Sequence, residues 1–195
     1  MTTQTRASRS PPLYDAVIGP AMERMAEPIR AFHRAACPAR FAGRASVERG
    51  ANPLTNLVAL IIGLPPASAD CTIEVLVGCD ANGVETWQRT FGASCFASTQ
   101  EPGAGSWNGL VVERFGPMAF AMAVVEKGGE LHLDLRGWRL LGMPMPDALG
   151  PRIVAFEHAS GGRFNFHVDM ALPLLGLIVR YRGWLEPVNL QSHRI

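Results

Sequence analysis

The stretch ETWQRTF, residues 85–91, places alternate side chains on opposite faces of a β-strand. Trp87, Arg89 and Phe91 share one face with Glu85, whereas threonine and glutamine occupy the other. The aromatic face should lie against the hydrophobic core, and it carries an arginine between its two aromatic residues. A buried guanidinium requires a partner that neutralises its charge and accepts its hydrogen bonds. The stretch therefore predicts a strand whose inner face is apolar and contains a paired cation.

Strand patterns of the same kind follow one another from residue 71 to residue 185. Turns rich in glycine and asparagine, such as DANG, EKGGE and ASGG, separate these strands. We predict strands over residues 71–79, 84–92, 94–99, 108–116, 118–127, 130–142, 152–160, 163–172 and 177–185. No strand–helix–strand alternation accompanies them, so neighbouring strands should be antiparallel. With a further strand over residues 39–50 the sheet has about ten strands, and so large a sheet curls or closes.

Short helices are predicted at the beginning of the chain. Residues 11–19 form a helix with Ser10 as its N-cap, and residues 20–27 and 28–35 continue as helical segments. We therefore predict the α+β class: a strongly curved antiparallel sheet or β-barrel, calycin-like or a half-barrel, with short N-terminal helices covering one end. A barrel of about eight strands can hold one small ligand.

A further helix is predicted over residues 53–62, with helix signals at both ends. Asn52 is its N-cap, Pro53 lies in its first turn, and Gly63 ends it. The helix is apolar on almost every side. We therefore expect it to be buried, or to cover an apolar region as a plug or lid.

Length and composition predict one domain. The 195 residues suffice for one sizeable core, and 48% of them are hydrophobic against 18% charged. A formal net charge of +1 argues against a broad nucleic-acid-binding surface. We predict a disordered lead over residues 1–12, a single barrel-like domain over residues 13–187 and a tail over residues 188–195. The apolar runs 57–64 and 170–179 are far shorter than the ~20 residues of a spanning helix, so no transmembrane segment is expected.

The four cysteines give no sign of a metal site or of close pairing. Cys37, Cys71, Cys79 and Cys95 match no zinc-binding spacing and include no CxxC motif. Because no secretory signal precedes them, we predict free thiols in a reducing cytoplasm. No glycine-rich phosphate-binding motif opens a helix, and we expect no cofactor.

The more apolar face of each strand points several polar side chains inward. Arg89, Glu113 and Tyr181 lie on such faces, and Glu157 lies on a strand whose two faces are almost equally apolar. Polar groups that converge in an apolar cavity can orient a ligand or transfer protons. The predicted ligand-binding residues are Trp87, Arg89, Phe91, Glu113, Phe115 and Tyr181. The candidate catalytic residues are Glu113, Glu157 and Tyr181.

Two HxD triplets are weaker candidates for a metal site. His132 with Asp134, and His167 with Asp169, each place an imidazole beside a carboxylate on one face of a strand. The opposite faces of both strands are apolar, so we expect the triplets to face solvent.

Several motifs, taken together, resemble an uncharacterised bacterial family, a domain of unknown function. They include W-x-R-x-F at residues 87–91, E-R-F-G-P at 113–117 and Y-x-G-x-L at 181–185, and the resemblance extends from Leu13 to Pro187. It implies that the inward arginine, glutamate and tyrosine are features of the family. The family domain also occurs behind saccharopine-dehydrogenase-like or short-chain-dehydrogenase-like domains, which implies work on small apolar metabolites beside redox enzymes. The resemblance implies no activity.

Three functions remain open from the sequence. The first is a cytoplasmic barrel that binds a small hydrophobic metabolite, with Arg89 holding its carboxylate or carbonyl and with Glu113 and Tyr181 fixing Arg89. The second is an isomerase or cyclase that uses the same groups for acid–base chemistry. The third is a packed structural module without a ligand, in which the runs 57–64 and 170–179 form a homodimer or membrane-surface contact.

Overall fold

The computed structural model describes residues 11–188, and its centre is a closed antiparallel β-barrel. Its strands are β1 (Ala39–Arg49), β2 (Ser68–Cys79), β3 (Glu85–Phe91), β4 (Ser94–Pro102), β5 (Val111–Phe115), β6 (Met118–Lys127), β7 (Glu130–Leu140), β8 (Met143–Pro144), β9 (Arg152–Ser160), β10 (Arg163–Leu172) and β11 (Gly176–Pro187). The order around the barrel is β6-β5-β4-β3-β2-β1-β11-β10-β9-β7, and pairing of β6 with β7 closes it. The two-residue β8 pairs with the end of β7. The predicted α+β class is confirmed, and the barrel is closed rather than a half-barrel.

Short helices cover one end of the barrel, as predicted. They are α1 (Leu13–Ile18), a 3-10 helix at Gly19–Arg24, and α2 (Glu27–His33). α1 and its neighbours contact β4, β5 and β6, whereas α2 contacts β9 and β10. The predicted cap Ser10 lies outside the described residues, and α1 begins after Pro12 without a side-chain cap. Gly19 adopts φ +57° and ends α1, which is why the next segment is a separate 3-10 helix.

The helix α3 (Pro53–Ile61) lies at the other end of the barrel, which we call the α3 end. Asn52 caps it as predicted, because its side chain accepts a hydrogen bond from the Leu54 backbone N–H. Of the two alternatives expected for this helix, burial or cover of an apolar region, burial is wrong. Only Thr55 and Ala59 are buried, because one narrow stripe faces the barrel at β11, and the large aliphatic side chains point to solvent.

The prediction that all four cysteines are free thiols is also wrong. Cys37, in the segment between α2 and β1, forms a disulfide with Cys79 at the end of β2, with their Cα atoms 5.9 Å apart. Pairing of β1 with β2 brings the two residues together across 42 positions of sequence. The crosslink ties the helical cover to the barrel wall, and Cys71 and Cys95 remain free. Within residues 11–188, no helix is long and apolar enough to cross a membrane.

Candidate functional site

The barrel encloses a cavity of about 120 Å³. An engineered apolar cavity of about 150 Å³ in another protein binds benzene, so this cavity matches a molecule with about one ring. Its wall is mostly aromatic and aliphatic and includes Phe96, Phe115, Phe120, Met122, Phe164 and Phe166. The polar residues that line it are Tyr14, Arg89, Gln100, Glu113, Glu157 and Tyr181.

The structure brings most of the predicted site residues to this cavity. Trp87, Arg89, Glu113, Phe115 and Tyr181 line it, and so does the candidate catalytic residue Glu157. Phe91 is buried in the barrel interior but does not line the cavity; its ring stacks on that of Phe96 at 6.0 Å between centroids and lies 5.3 Å from that of Tyr181. The strand on which Glu157 lies therefore turns Ile153, Ala155 and Glu157 inward.

Arg89, on β3, is held inside the barrel by partners on the next two strands of the sheet, β4 and β5. Its Nη1 donates to Ser98 Oγ at 2.8 Å, and its Nη2 lies 3.3 Å from Glu113 Oε1. Ser98 in turn donates to the same Glu113 oxygen at 2.5 Å. The guanidinium also lies 5.0 Å from the centre of the Trp87 ring, within cation–π range. The arginine is tolerated between two aromatic residues because its charge and two of its donors are satisfied locally.

Tyr181 lines the same cavity as Arg89. The hydrogen bonds found for Arg89 go to Ser98 and Glu113, and none joins it to the Tyr181 hydroxyl among residues 11–188, so the role of Tyr181 in fixing Arg89 stays a prediction. Burial raises the pKa of Tyr181 to about 12, and the Arg89 charge opposes this rise while Glu113 adds to it. The cavity therefore contains a neutral phenol whose hydroxyl is available to a ligand.

A second polar cluster lies where the helical cover meets the cavity. Tyr14 of α1 donates to Gln100 Oε1 at 3.0 Å, and its ring lies 3.9 Å from that of His33. His33 Nε2 is 2.6 Å from Glu157 Oε2. Burial raises the pKa of Tyr14 well above its usual value, and the nearby Glu157 and Glu113 charges raise it further.

Sequence reasoning missed four polar residues of the site: Tyr14, His33, Ser98 and Gln100. Ser98 and Gln100 share the inner face of β4 with Phe96, so the strand alternation that placed Arg89 could have found them. Tyr14 and His33 carry no comparable signal, because their partners lie 86 and 124 residues away.

The HxD residues lie on the outer face of the barrel, away from the cavity. Phe156 stacks between His132 and His167, with ring centroids 5.5 and 4.9 Å away. Asp169 pairs with Arg180, and Asp134 lies 3.4 Å from an Arg136 nitrogen. The weak metal candidates His132, Asp134, His167 and Asp169 are not brought together, and the described part of the chain has no cluster of three or more such ligands. Burial lowers the pKa of His167, and Asp169 opposes that change.

The sequence profile of a family described as a domain of unknown function, DUF4166, matches residues 25–185. The chain belongs to the DUF4166 family. This confirms the resemblance to an uncharacterised domain. The match includes the β3–β4–β5 wall with Arg89, Ser98 and Glu113, as well as Tyr181. Tyr14, which closes the cavity from α1, precedes the matched residues of this DUF4166 chain.

Among solved structures, this DUF4166 chain is similar to a protein of unknown function from the DUF3598 family of Nostoc punctiforme. The two share 12% sequence identity with a TM-score of 0.45, over 77% of this chain and 47% of that chain. The chain thus spans about half the length of that protein. A search of curated proteins found no match.

Proposed function

We propose that this DUF4166 barrel binds a small hydrophobic molecule of about one ring that carries a carbonyl group. The observation that carries the proposal is the cavity of about 120 Å³, whose apolar wall is interrupted by the Arg89–Ser98–Glu113 cluster. A mostly apolar cavity with a few convergent polar groups is the usual form of a small-molecule site. Trp87, Phe115 and the other aromatic residues supply apolar contact, and the cluster orients the polar end of the ligand.

The polar residues favour a carbonyl over a carboxylate. Arg89 has five donors, of which Ser98 and Glu113 take two, and the Tyr181 hydroxyl is also free to donate. Glu113 already neutralises Arg89, and Glu157 is a second acidic group in the cavity. A ligand carboxylate would therefore add an unbalanced negative charge in a region of low dielectric constant. A neutral carbonyl accepts the same hydrogen bonds without this penalty.

An isomerase or cyclase is the second candidate, and the Glu157–His33 pair favours it. The two side chains are 2.6 Å apart, and Glu157 faces the cavity, so the pair could move a proton to or from a bound ligand. Glu113 and Tyr181 remain the other candidate catalytic groups. The third possibility, a packed module with no ligand, is disfavoured by the cavity volume.

We also infer a cytoplasmic location, near an enzyme that makes or consumes carbonyl compounds. The resemblance to domains that follow dehydrogenase-like domains supports this, because dehydrogenases interconvert hydroxyl and carbonyl groups. A reducing cytoplasm would open the Cys37–Cys79 disulfide, so this proposal requires that the barrel also binds its ligand without that crosslink.

Three ring compounds of similar size test the proposal: acetophenone, ethylbenzene and benzoate. Each is titrated into ¹⁵N-labelled protein, and binding is followed by amide chemical shifts in β3, β4 and β5. We expect acetophenone to bind about tenfold or more tightly than ethylbenzene, because hydrogen bonds to charged groups contribute about 1.5–3 kcal/mol. Benzoate should bind most weakly.

The matched control is Arg114→Met, which removes an exposed arginine from the outer face of β5, where it pairs with Glu101. This variant should keep the preference for acetophenone, whereas the double variant Arg89→Met/Glu113→Leu should lose it. Equal binding of all three compounds, or shifts confined to the outer surface, would refute the proposed site.

A further inference from the structure

The α3 end of the barrel carries a concentration of exposed aliphatic side chains. On α3 itself these are Leu54, Leu57, Leu60 and Ile61, each more than half exposed and Leu60 75% exposed. Four of the nine residues of this helix thus hold large apolar groups in water. A cluster of this kind is uncommon on the surface of a monomeric soluble protein and is typical of a binding surface.

Neighbouring turns at the same end extend this surface. We call the whole set the apolar rim; its members are Leu54, Leu57, Leu60, Ile61, Leu141, Met143, Leu149 and Leu174. It contains eight of the ten large hydrophobic side chains that are exposed among residues 11–188. The segments that carry these residues follow one another around the α3 end in the strand order β1-β11-β10-β9-β7.

Backbone conformation at two of these turns gives an independent reason to assign the rim a function. Leu141 and Leu174 have φ values of +51° and +64°, and no other non-glycine residue in the described part of the chain has a positive φ. Leu174 is fully exposed and Leu141 is 73% exposed. Glycine or asparagine suits such a backbone better than leucine. Neither burial nor local backbone conformation explains why leucine occupies these two positions. Contact with another apolar surface would explain it.

Charge at the same end favours an anionic partner. Residues 11–188 contain fourteen arginines, and eleven of them lie within 4.0 Å of a carboxylate. The three that do not are Arg49, Arg139 and Arg152, and all three belong to strand ends at the α3 end. Acidic residues also lie near this end: Asp147 between β8 and β9, and Glu48 and Asp169, which already pair with Arg180 and Arg182. The rim is therefore apolar with a net positive border.

We propose that the apolar rim docks on the surface of an anionic lipid bilayer. The leucines enter the boundary between headgroups and acyl chains, and the exposed Arg152 pairs with lipid phosphates. Arg49 donates to the backbone carbonyls of Pro65 and Asn56, and Arg139 lies over the Trp107 ring, so these two add positive charge to the border without a carboxylate to neutralise it. Apolar side chains combined with basic residues are the combination by which proteins attach to an interface without spanning it.

Docking in this orientation would present the cavity to the lipid. Leu64, three residues after the end of α3, lines the cavity, as do Ile153 and Met170 near the same end of β9 and β10. If the proposed function holds, an apolar ligand could pass between bilayer and barrel at this end.

Sedimentation with vesicles tests the docking. Vesicles of three parts phosphatidylcholine to one part phosphatidylserine should bind the protein, and pure phosphatidylcholine vesicles should bind it less. The variant Leu141→Gly/Leu174→Gly should bind the anionic vesicles at least about tenfold more weakly, since burial of one leucine side chain contributes about a factor of ten or more. Glycine suits both backbone conformations, so the melting temperature should not fall. Leu76→Ser, at an exposed leucine outside the rim, is the matched control and should bind normally.

Two results would overturn the proposal. One is equal binding of the parent protein and the Leu141→Gly/Leu174→Gly variant to anionic vesicles, or no binding of either. The other is a dimer in sedimentation equilibrium that the same variant dissociates, which would make the rim an interface between copies of this chain. Acetophenone binding by the variant in solution should be unchanged, so a failure of docking can be told apart from a failure of the proposed function.

Discussion

Replacement of Arg89, alone and together with Glu113, tests whether pairing with Glu113 explains why a cation is tolerated inside the barrel. The Arg89 and Glu113 side chains are 13% and 22% exposed, so both are largely removed from solvent. Arg89→Met leaves the Glu113 carboxylate in an apolar cavity, with Ser98 as its hydrogen-bond donor. Breaking a buried pair costs about 3–5 kcal/mol. Because Ser98 still donates at 2.5 Å, we expect the lower end of that range for the single variant.

The double variant Arg89→Met/Glu113→Leu should recover most of this loss, to within about 1 kcal/mol of the parent protein, because no charge is left without a partner. The free energy of unfolding is measured by urea denaturation, with the slope m checked for constancy across variants. Arg114→Met removes an exposed partner of Glu101 and should cost less than about 1 kcal/mol. If the double variant is as unstable as the single one, pairing does not explain the inward arginine.

Three further predictions concern stability. Cys37→Ser/Cys79→Ser should lower the free energy of unfolding by about 4 kcal/mol, the chain-entropy value for the 42-residue separation, and reductant should lower it equally in the parent. The pKa of Tyr181 is raised from 10.0 to about 12 in the folded protein, so the contribution of this tyrosine to the free energy of unfolding is complete below pH 10 and is lost as the pH rises toward 12. Urea midpoints between pH 9 and 12 should therefore fall more steeply for the parent than for Tyr181→Phe. Gly43→Ala should prevent normal folding, because its Cβ would lie 1.8 Å from the Trp184 carbonyl oxygen, and a native circular dichroism spectrum would contradict this.

Much of the fold could be predicted from the sequence because strand alternation is a local property. Each strand from β2 to β11 with a clear apolar face was identified, apart from the two-residue β8. The same alternation predicted that Arg89 and Glu113 face inward, even though their pairing joins residues 24 positions apart. Strand alternation does not decide between a closed barrel and a half-barrel, because closure depends on the pairing of β6 with β7 and not on the pattern of any one strand.

The features that could not be predicted depend on distant contacts or on exposure. The Cys37–Cys79 disulfide follows from the register of β1 with β2, which the cysteine spacing does not reveal. The apolar sequence of α3 predicted burial or cover of an apolar region, whereas only Thr55 and Ala59 of this helix are buried. Hydrophobicity alone does not distinguish a helix that is buried from a helix whose apolar side chains are exposed to solvent.

Native mass spectrometry of the purified protein, compared with its denatured mass, tests the central claim most directly. We predict a discrete additional mass in the native spectrum, corresponding to a neutral molecule of about one ring, which Arg114→Met retains and the folded Arg89→Met/Glu113→Leu variant loses. A native mass equal to the denatured mass, in a protein that also fails to bind acetophenone, would contradict ligand binding in this cavity.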